Sequence, residues 1–181
     1  MQSAAVFCGS KMGSDPLYEE HARSLGTLLA QKGIKLIYGG GKAGLMGAVA
    51  DAALEAGGEV YGIIPHFLNS RERKHDRLTE TFVTDTMHER KKLLFEKCDA
   101  AIIIPGGFGT MDELFELLTW NQLQLHHKKV FLLNTGGFYN TLIDHFDQMY
   151  NCGFLYSNPR ADLVMVNTPE EVMAYFDEHS L

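Results

Sequence analysis

The stretch IIIPGGFGTMDE, Ile102 to Glu113, decides the fold. Its three isoleucines read as the end of a buried strand. Pro105 and the glycines at 106, 107 and 109 break the run, and Thr110 opens a segment that reads as a helix to about Gln124. A strand that passes through a glycine turn into a helix is the repeating element of an α/β protein. The same pattern recurs on both sides.

Upstream, SAAVFCGS is a short apolar run ending in Gly9. Asp15-Pro16 reads as an N-cap followed by a first-turn proline, opening a helix to about Lys32 that Gly33 stops. IKLIYGGG is a second strand, LMGAVADAALEAGG an Ala-rich helix closed by Gly57-Gly58, and EVYGIIP a third strand. From His66 to Thr81 the chain is polar without a clear period and reads as a long loop; TFVTDT then reads as a short strand. Met87 to Lys97 reads as a helix leading into the strand DAAIIIPGG. Downstream come the strand KKVFLLNTGG, a helix from Phe138 to Tyr150, the strand ADLVMVN and a helix from Thr168 to Glu178. That last helix opens on Thr-Pro-Glu-Glu, a capping-box pattern. Continuous β-rich runs between helices predict a doubly wound, Rossmann-like α/β fold: a mostly parallel sheet with helices on both faces, formed by residues 1–181 as one domain.

Composition narrows the function classes. The net charge is −7, which argues against a nucleic-acid surface. No apolar run approaches the roughly 20 residues of a membrane helix, and MQSAAVFCGS lacks the basic start of a signal peptide. Cys8, Cys98 and Cys152 are odd in number and form no CxxC pair, so reduced thiols in a cytoplasm are expected. The eight histidines show no metal-binding spacing, and no metal site is expected. Charge is uneven, however: Arg71, Arg73, Lys74, Arg77, Arg90, Lys91 and Lys92 place seven of the 16 Lys and Arg residues between positions 71 and 92. Such a cluster is either a solvated face or a local anion site.

In a doubly wound sheet, ligands lie beyond the carboxyl ends of the strands. Here those ends carry Gly9-Ser10, Gly39-Gly40-Gly41, Pro65, Pro105-Gly106-Gly107 and Asn134 to Gly137. Gly39 to Gly44, GGGKAG, satisfies the G-x-G-x-x-G dinucleotide fingerprint, but the acid expected at the end of the next strand is absent. A dinucleotide site, another nucleotide-related turn or a purely structural turn remain open for it. Pro105 to Glu113 is the stronger anion site. The first amides of a helix lack internal partners, and the helix dipole adds positive charge. Thr110 supplies a further donor. Thr110-x-x-Glu113 also fits a capping box, so spacing alone leaves Glu113 either a cap or a chemical group. In MHERKK, Arg90 and Lys91 sit early in a helix, where the dipole disfavours cations, so either they form an exposed basic face or an anion holds them there.

Taken together, GGGKAGLMG, the Ser70-Arg71-Glu72 triplet, MHERK, PGGFGTMDE and LLTWNQLQLHHKKVFLLN resemble the LONELY GUY family of cytokinin riboside 5′-monophosphate phosphoribohydrolases, once labelled lysine decarboxylases. The resemblance spans essentially the whole chain. It implies cleavage of the N-glycosidic bond of a nucleoside 5′-monophosphate, AMP or N6-prenylated AMP, to free base and ribose 5-phosphate. By motif it implies a catalytic pair, Arg90 and Glu113. It implies substrate binding by Glu72, Arg90, Lys91, Thr119 and the loop Gly107, Phe108, Gly109, Thr110, Met111, Asp112 and Glu113. Ser10, Gly39, Gly40, Gly41 and Gly44 form a secondary glycine rim. Phe108 and Met111-Asp112 stand where the family commonly has tyrosine and Leu-Glu. A homodimer or larger homo-oligomer is implied, with a small-molecule nucleotide as partner and no metal or organic cofactor. No pyridoxal-phosphate lysine setting supports the older label. The competing class is a non-hydrolytic carrier of a nucleotide or of the molybdenum cofactor, which would share the glycine rim without needing an Arg90–Glu113 pair.

Overall fold

A computed structural model describes residues 1–69, 74–161 and 163–179. Seven strands form one sheet: β1 (Ser3–Phe7), β2 (Lys35–Tyr38), β3 (Val60–Pro65), β4 (Glu80–Thr84), β5 (Ala100–Ile103), β6 (Val130–Leu133) and β7 (Leu163–Val166). Their order is β4-β3-β2-β1-β5-β6-β7, and every pairing is parallel. The expected "mostly parallel" sheet is therefore parallel throughout the described strands.

Alternation along the strands sorts the core into two layers. Ala4, Val6 and Cys8 point to one face and pack with α1 (Pro16–Gln31), α2 (Gly44–Glu55) and α6 (Pro169–Glu178). Ala5 and Phe7 point to the other face and pack with α3 (Met87–Glu96), α4 (Phe108–Gln122) and α5 (Asn140–Asn151). Both faces are covered, which is why these strands are apolar without interruption.

Local signals set most boundaries. Asp15 caps α1 by accepting from the Leu17 amide at 2.9 Å, with Pro16 at the first helical position. Thr86 and Glu89 form a reciprocal capping box that starts α3. The box expected at Thr168 is only half made: its hydroxyl accepts from the Glu171 amide, while the Glu171 carboxylate takes the amide of Asn167 instead. Two starts differ from the sequence reading. Helix α4 begins at Phe108, two residues before Thr110, and α5 begins at Asn140, because Thr135–Gly137 forms a separate 3₁₀ turn.

Strands β2 to β4 run outward on one side of β1, and β5 to β7 on the other. The carboxyl ends of β1 and β5 are therefore the topological switch point. Ile104 N–H donates to Phe7 O and Gly9 N–H to Pro105 O, both at 3.0 Å, so the two ends stay side by side as they leave the sheet.

Candidate active site

A cleft of about 210 Å³ opens at this switch point. Cys8, Gly9 and Ser10 from the end of β1 form one side, with Met46 of α2 and Arg90 of α3. Gly107, Phe108, Gly109, Thr110 and Glu113 form the other. Beyond Gly9, Ser10 and Gly107 lies a larger, mostly apolar hollow bounded by Met12, Tyr18, Leu45 and Phe138.

The α4 end of the cleft is built for an anion. Gly107 is the N-cap and makes no side-chain capping bond. The first intrahelical bond runs from Met111 N–H to Gly107 O at 3.1 Å, so the amides of Phe108, Gly109 and Thr110 precede the helical ladder. Because the helix starts at Phe108, Glu113 sits in its second turn. The alternative in which Thr110 caps the helix and Glu113 reaches back to it does not occur. Glu113 instead faces the cleft, half-buried.

Burial is the largest influence on the Glu113 carboxyl. It outweighs the Arg90 charge and pushes the pKa up from 4.5 to about 7. The folded state then holds this proton more tightly than the unfolded chain does. That contribution to stability is complete below about pH 4.5 and is lost as pH rises to about 7. Glu113→Gln is therefore expected to gain stability relative to the parent across this window, by on the order of 2–3 kcal/mol. Thermal unfolding at pH 4.5 and pH 8 measures it; an equal difference in Tm at both pH values would contradict the elevated pKa.

Arg90 is 8% exposed. Its Nε donates to Ile63 O at 3.1 Å and its Nη2 to Gly39 O at 3.5 Å, while Nη1 lies 3.9 Å from Met87 Sδ. No carboxylate among the described residues forms an ion pair with it. A desolvated cation held by two carbonyls and a thioether leaves its positive field to the cleft, where an anion or an ionised Glu113 can use it. Cys8 shares the cleft but is no nucleophile. Burial and the nearby Glu113 push its thiol far up, so it stays protonated.

The GGGKAG turn has a different role from the one its pattern suggests. The start of α2 is covered by the chain after β1: Met46 N–H faces Gly9 O at 3.4 Å, and a β-carbon on Gly44 would lie 2.3 Å from Lys11 N. At Gly44 and Met46 the turn is thus packed against the chain after β1. Gly40 O instead accepts from His75 N–H at 3.0 Å, and Gly41 forms a bridge with Lys74. Gly39 lies against Arg90, where a β-carbon would come within 2.3 Å of Nη2.

The other expected site residues separate. Ser10 lines the cleft. Met111 turns toward the core. Lys91 and Asp112 pair with each other at 2.7 Å outside the cleft lining. Thr119 is exposed and lines a different groove of about 140 Å³ with Phe115, Phe146 and Met149. Glu72 lies outside the described residues. Gly9, expected with Ser10 on the rim of strand ends, lines the cleft; Cys8 and Met46 were not expected in the site, and the position of Cys8 at the end of β1 was the available signal, useful only with the strand order.

Residues 46–176 match the family described as "Possible lysine decarboxylase". A probable cytokinin riboside 5′-monophosphate phosphoribohydrolase of Oryza sativa subsp. japonica is 41% identical over 174 residues, 96% of this chain and 82% of the relative. A cytokinin riboside 5′-monophosphate phosphoribohydrolase of Arabidopsis thaliana is 40% identical over 175 residues, 97% and 81% of the two chains. Among solved structures, the molybdenum cofactor binding protein of Rippkaea orientalis superposes with a TM-score of 0.74 at 23% identity, covering 99% of this chain and 98% of that one. At that identity the likeness shows the fold alone. The similarity to the plant enzymes over nearly the whole of this chain makes it a member of the LONELY GUY family of cytokinin riboside 5′-monophosphate phosphoribohydrolases.

Proposed function

We propose that this chain, as one domain, hydrolyses the N-glycosidic bond of a nucleoside 5′-monophosphate, AMP or N6-prenylated AMP, releasing free base and ribose 5-phosphate. The observation that carries the proposal is the convergence of Glu113 and Arg90 in the cleft whose rim is the open start of α4. The 5′-phosphate docks on the amides of Gly107 to Thr110, and the ribose lies beside Glu113, one turn further in. As the C1′–N bond breaks, its electron pair leaves with the base and the sugar gains oxocarbenium character. Ionised Glu113 stabilises that charge and takes a proton from the water that adds to C1′. The departing ring nitrogen takes a proton from solvent, and Glu113 returns the proton it took from water to solvent, so water is consumed and free base and ribose 5-phosphate result. Arg90 favours the ionised form of Glu113 against its burial and orients the substrate. Activity requires ionised Glu113, so kcat/KM rises with pH through about 7.

Binding energy from the phosphate positions a bond several atoms away. Adenosine is therefore expected to be cleaved at least about 100-fold less efficiently than AMP, measured as kcat/KM by release of adenine. Equal rates would remove the phosphate cradle. Gly39→Ala, which drives a methyl group into Arg90, is expected to lower kcat/KM by about 10-fold or more while the fold persists by circular dichroism.

The cleft lining contains no lysine among the described residues, so it offers no Schiff-base partner for the pyridoxal chemistry of a decarboxylase. A carrier of a nucleotide or of the molybdenum cofactor would use the same rim, but the Arg90–Glu113 pair favours the enzyme. No helix is long and apolar enough to cross a membrane among the described residues, and we place the enzyme in the cytoplasm. We also propose a homodimer. Phe115 lines the groove that holds Thr119, and Leu123, Phe154 and Tyr156, next in the chain to its lining residues Gln122 and Leu155, are exposed. Thr119 would then meet the nucleotide of a neighbouring copy rather than its own.

A further inference from the structure

Lys91 follows Arg90 on α3, and Asp112 precedes Glu113 on α4. Lys91 Nζ lies 2.7 Å from Asp112 Oδ2 and 2.9 Å from Glu116 Oε2. The two carboxylates stand four residues apart on one stripe of α4, so a single ammonium closes on both. The contact is partly desolvated: the Lys91 and Glu116 side chains are 16% and 22% exposed. Among the described residues no other ion pair joins α3 to α4. Their later turns meet through the edge-to-face pair Phe95–Trp120, with centroids 4.9 Å apart. Nearer their starts, beside Arg90 on α3 and Glu113 on α4, they are joined by Lys91. Neither Lys91 nor Glu116 lines the cleft.

We propose that Lys91 and Glu116 are a positioning pair: they fix the start of α3 against α4 so that Arg90 and Glu113 share one cleft, and they set the electrostatic field at Glu113 from behind. This rests on the hydrolase proposal, and it gives Lys91 a role other than touching the nucleotide. Glu116 belongs to no motif that the sequence singled out.

The groups that act on Glu113 come from three elements. Arg90 and Lys91 of α3 favour its ionised form. Asp112 and Glu116 of α4 favour the protonated form, as does burial, the largest influence. Cys8, at the end of β1, is a neutral thiol. Lys91 itself remains charged, because its two carboxylate partners outweigh the cost of its burial. The two members of the pair thus push Glu113 in opposite directions. A scaffold contact without electrostatic consequence would move Glu113 the same way, or not at all, when either member is replaced.

The test is a carbon-13 NMR titration of the Glu113 side-chain carboxyl in the full chain without substrate, the resonance being assigned by its loss in Glu113→Gln. Lys91→Met is expected to move the midpoint up and Glu116→Gln to move it down, each by roughly 0.5–1 pH unit. Shifts of the same sign in both variants, or none in either, would overturn the proposal. Should Lys91→Met fail to fold, the near-isosteric Glu116→Gln decides: no downward shift overturns it. Kinetics adds a second readout. A large rise in the KM for AMP in Lys91→Met, with Glu116→Gln unchanged in kcat and KM, would assign Lys91 to the phosphate instead. The titration needs no turnover, so a failure of the wild type to release base from AMP overturns the hydrolase proposal separately.

Discussion

Glu113→Gln is expected to bind AMP within a few-fold of the parent and to lose about 10³-fold in kcat. The change is isosteric and keeps a hydrogen-bonding group, so the cleft and the α4 amides that hold the phosphate remain. It removes the negative charge that opposes the sugar cation and the base that takes the proton from water. Both losses fall on the transition state, so kcat falls and affinity does not. The residual rate should also lose its rise through pH 7, because the group that titrates there is gone. Calorimetric binding of AMP together with turnover across pH checks all three expectations. A variant with near-normal kcat would remove Glu113 from the chemistry.

Arg90→Met is expected to be comparably severe, with kcat/KM lowered by about 10²–10³-fold. Methionine fills similar space but leaves Ile63 O and Gly39 O without the donor they now face. It also deletes the largest of the charges that favour ionised Glu113, so the rise of activity with pH should move above 7. Arg90→Lys should not rescue it. An ammonium cannot reproduce a planar guanidinium that bonds two separate carbonyls and still faces the cleft. Rates and pH profiles of the two variants provide the measurement. Full rescue by lysine would reduce Arg90 to a point charge.

The contrast between what the sequence disclosed and what it hid follows from the range of each interaction. Among the described residues, the seven strands and six α-helices are written in local periodicity, and the cap of α1 in two adjacent residues, Asp15 and Pro16. The start of α4 was harder. Its cap, Gly107, uses no side chain, whereas Thr110-x-x-Glu113 imitates a box that does not form. GGGKAG imitated a phosphate loop for a similar reason. The pattern records that glycine is needed, not what approaches it, and here the approaching groups are Arg90 and the chain after β1. The Lys91 clamp to Asp112 and Glu116 joins residues more than 20 positions apart, and no local pattern marks it. Thr119 and Glu113 lie on the same helix, so the sequence groups them; the six-residue rise of about 9 Å separates them within one chain.

Product analysis after incubation with AMP tests the reaction class most directly. Chromatography with a mass readout should find adenine and ribose 5-phosphate in equal amounts from the parent chain, and both formed about 10³-fold more slowly by Glu113→Gln. Adenosine and inorganic phosphate as the products, or AMP bound and recovered intact, would contradict a phosphoribohydrolase acting through the Arg90–Glu113 cleft.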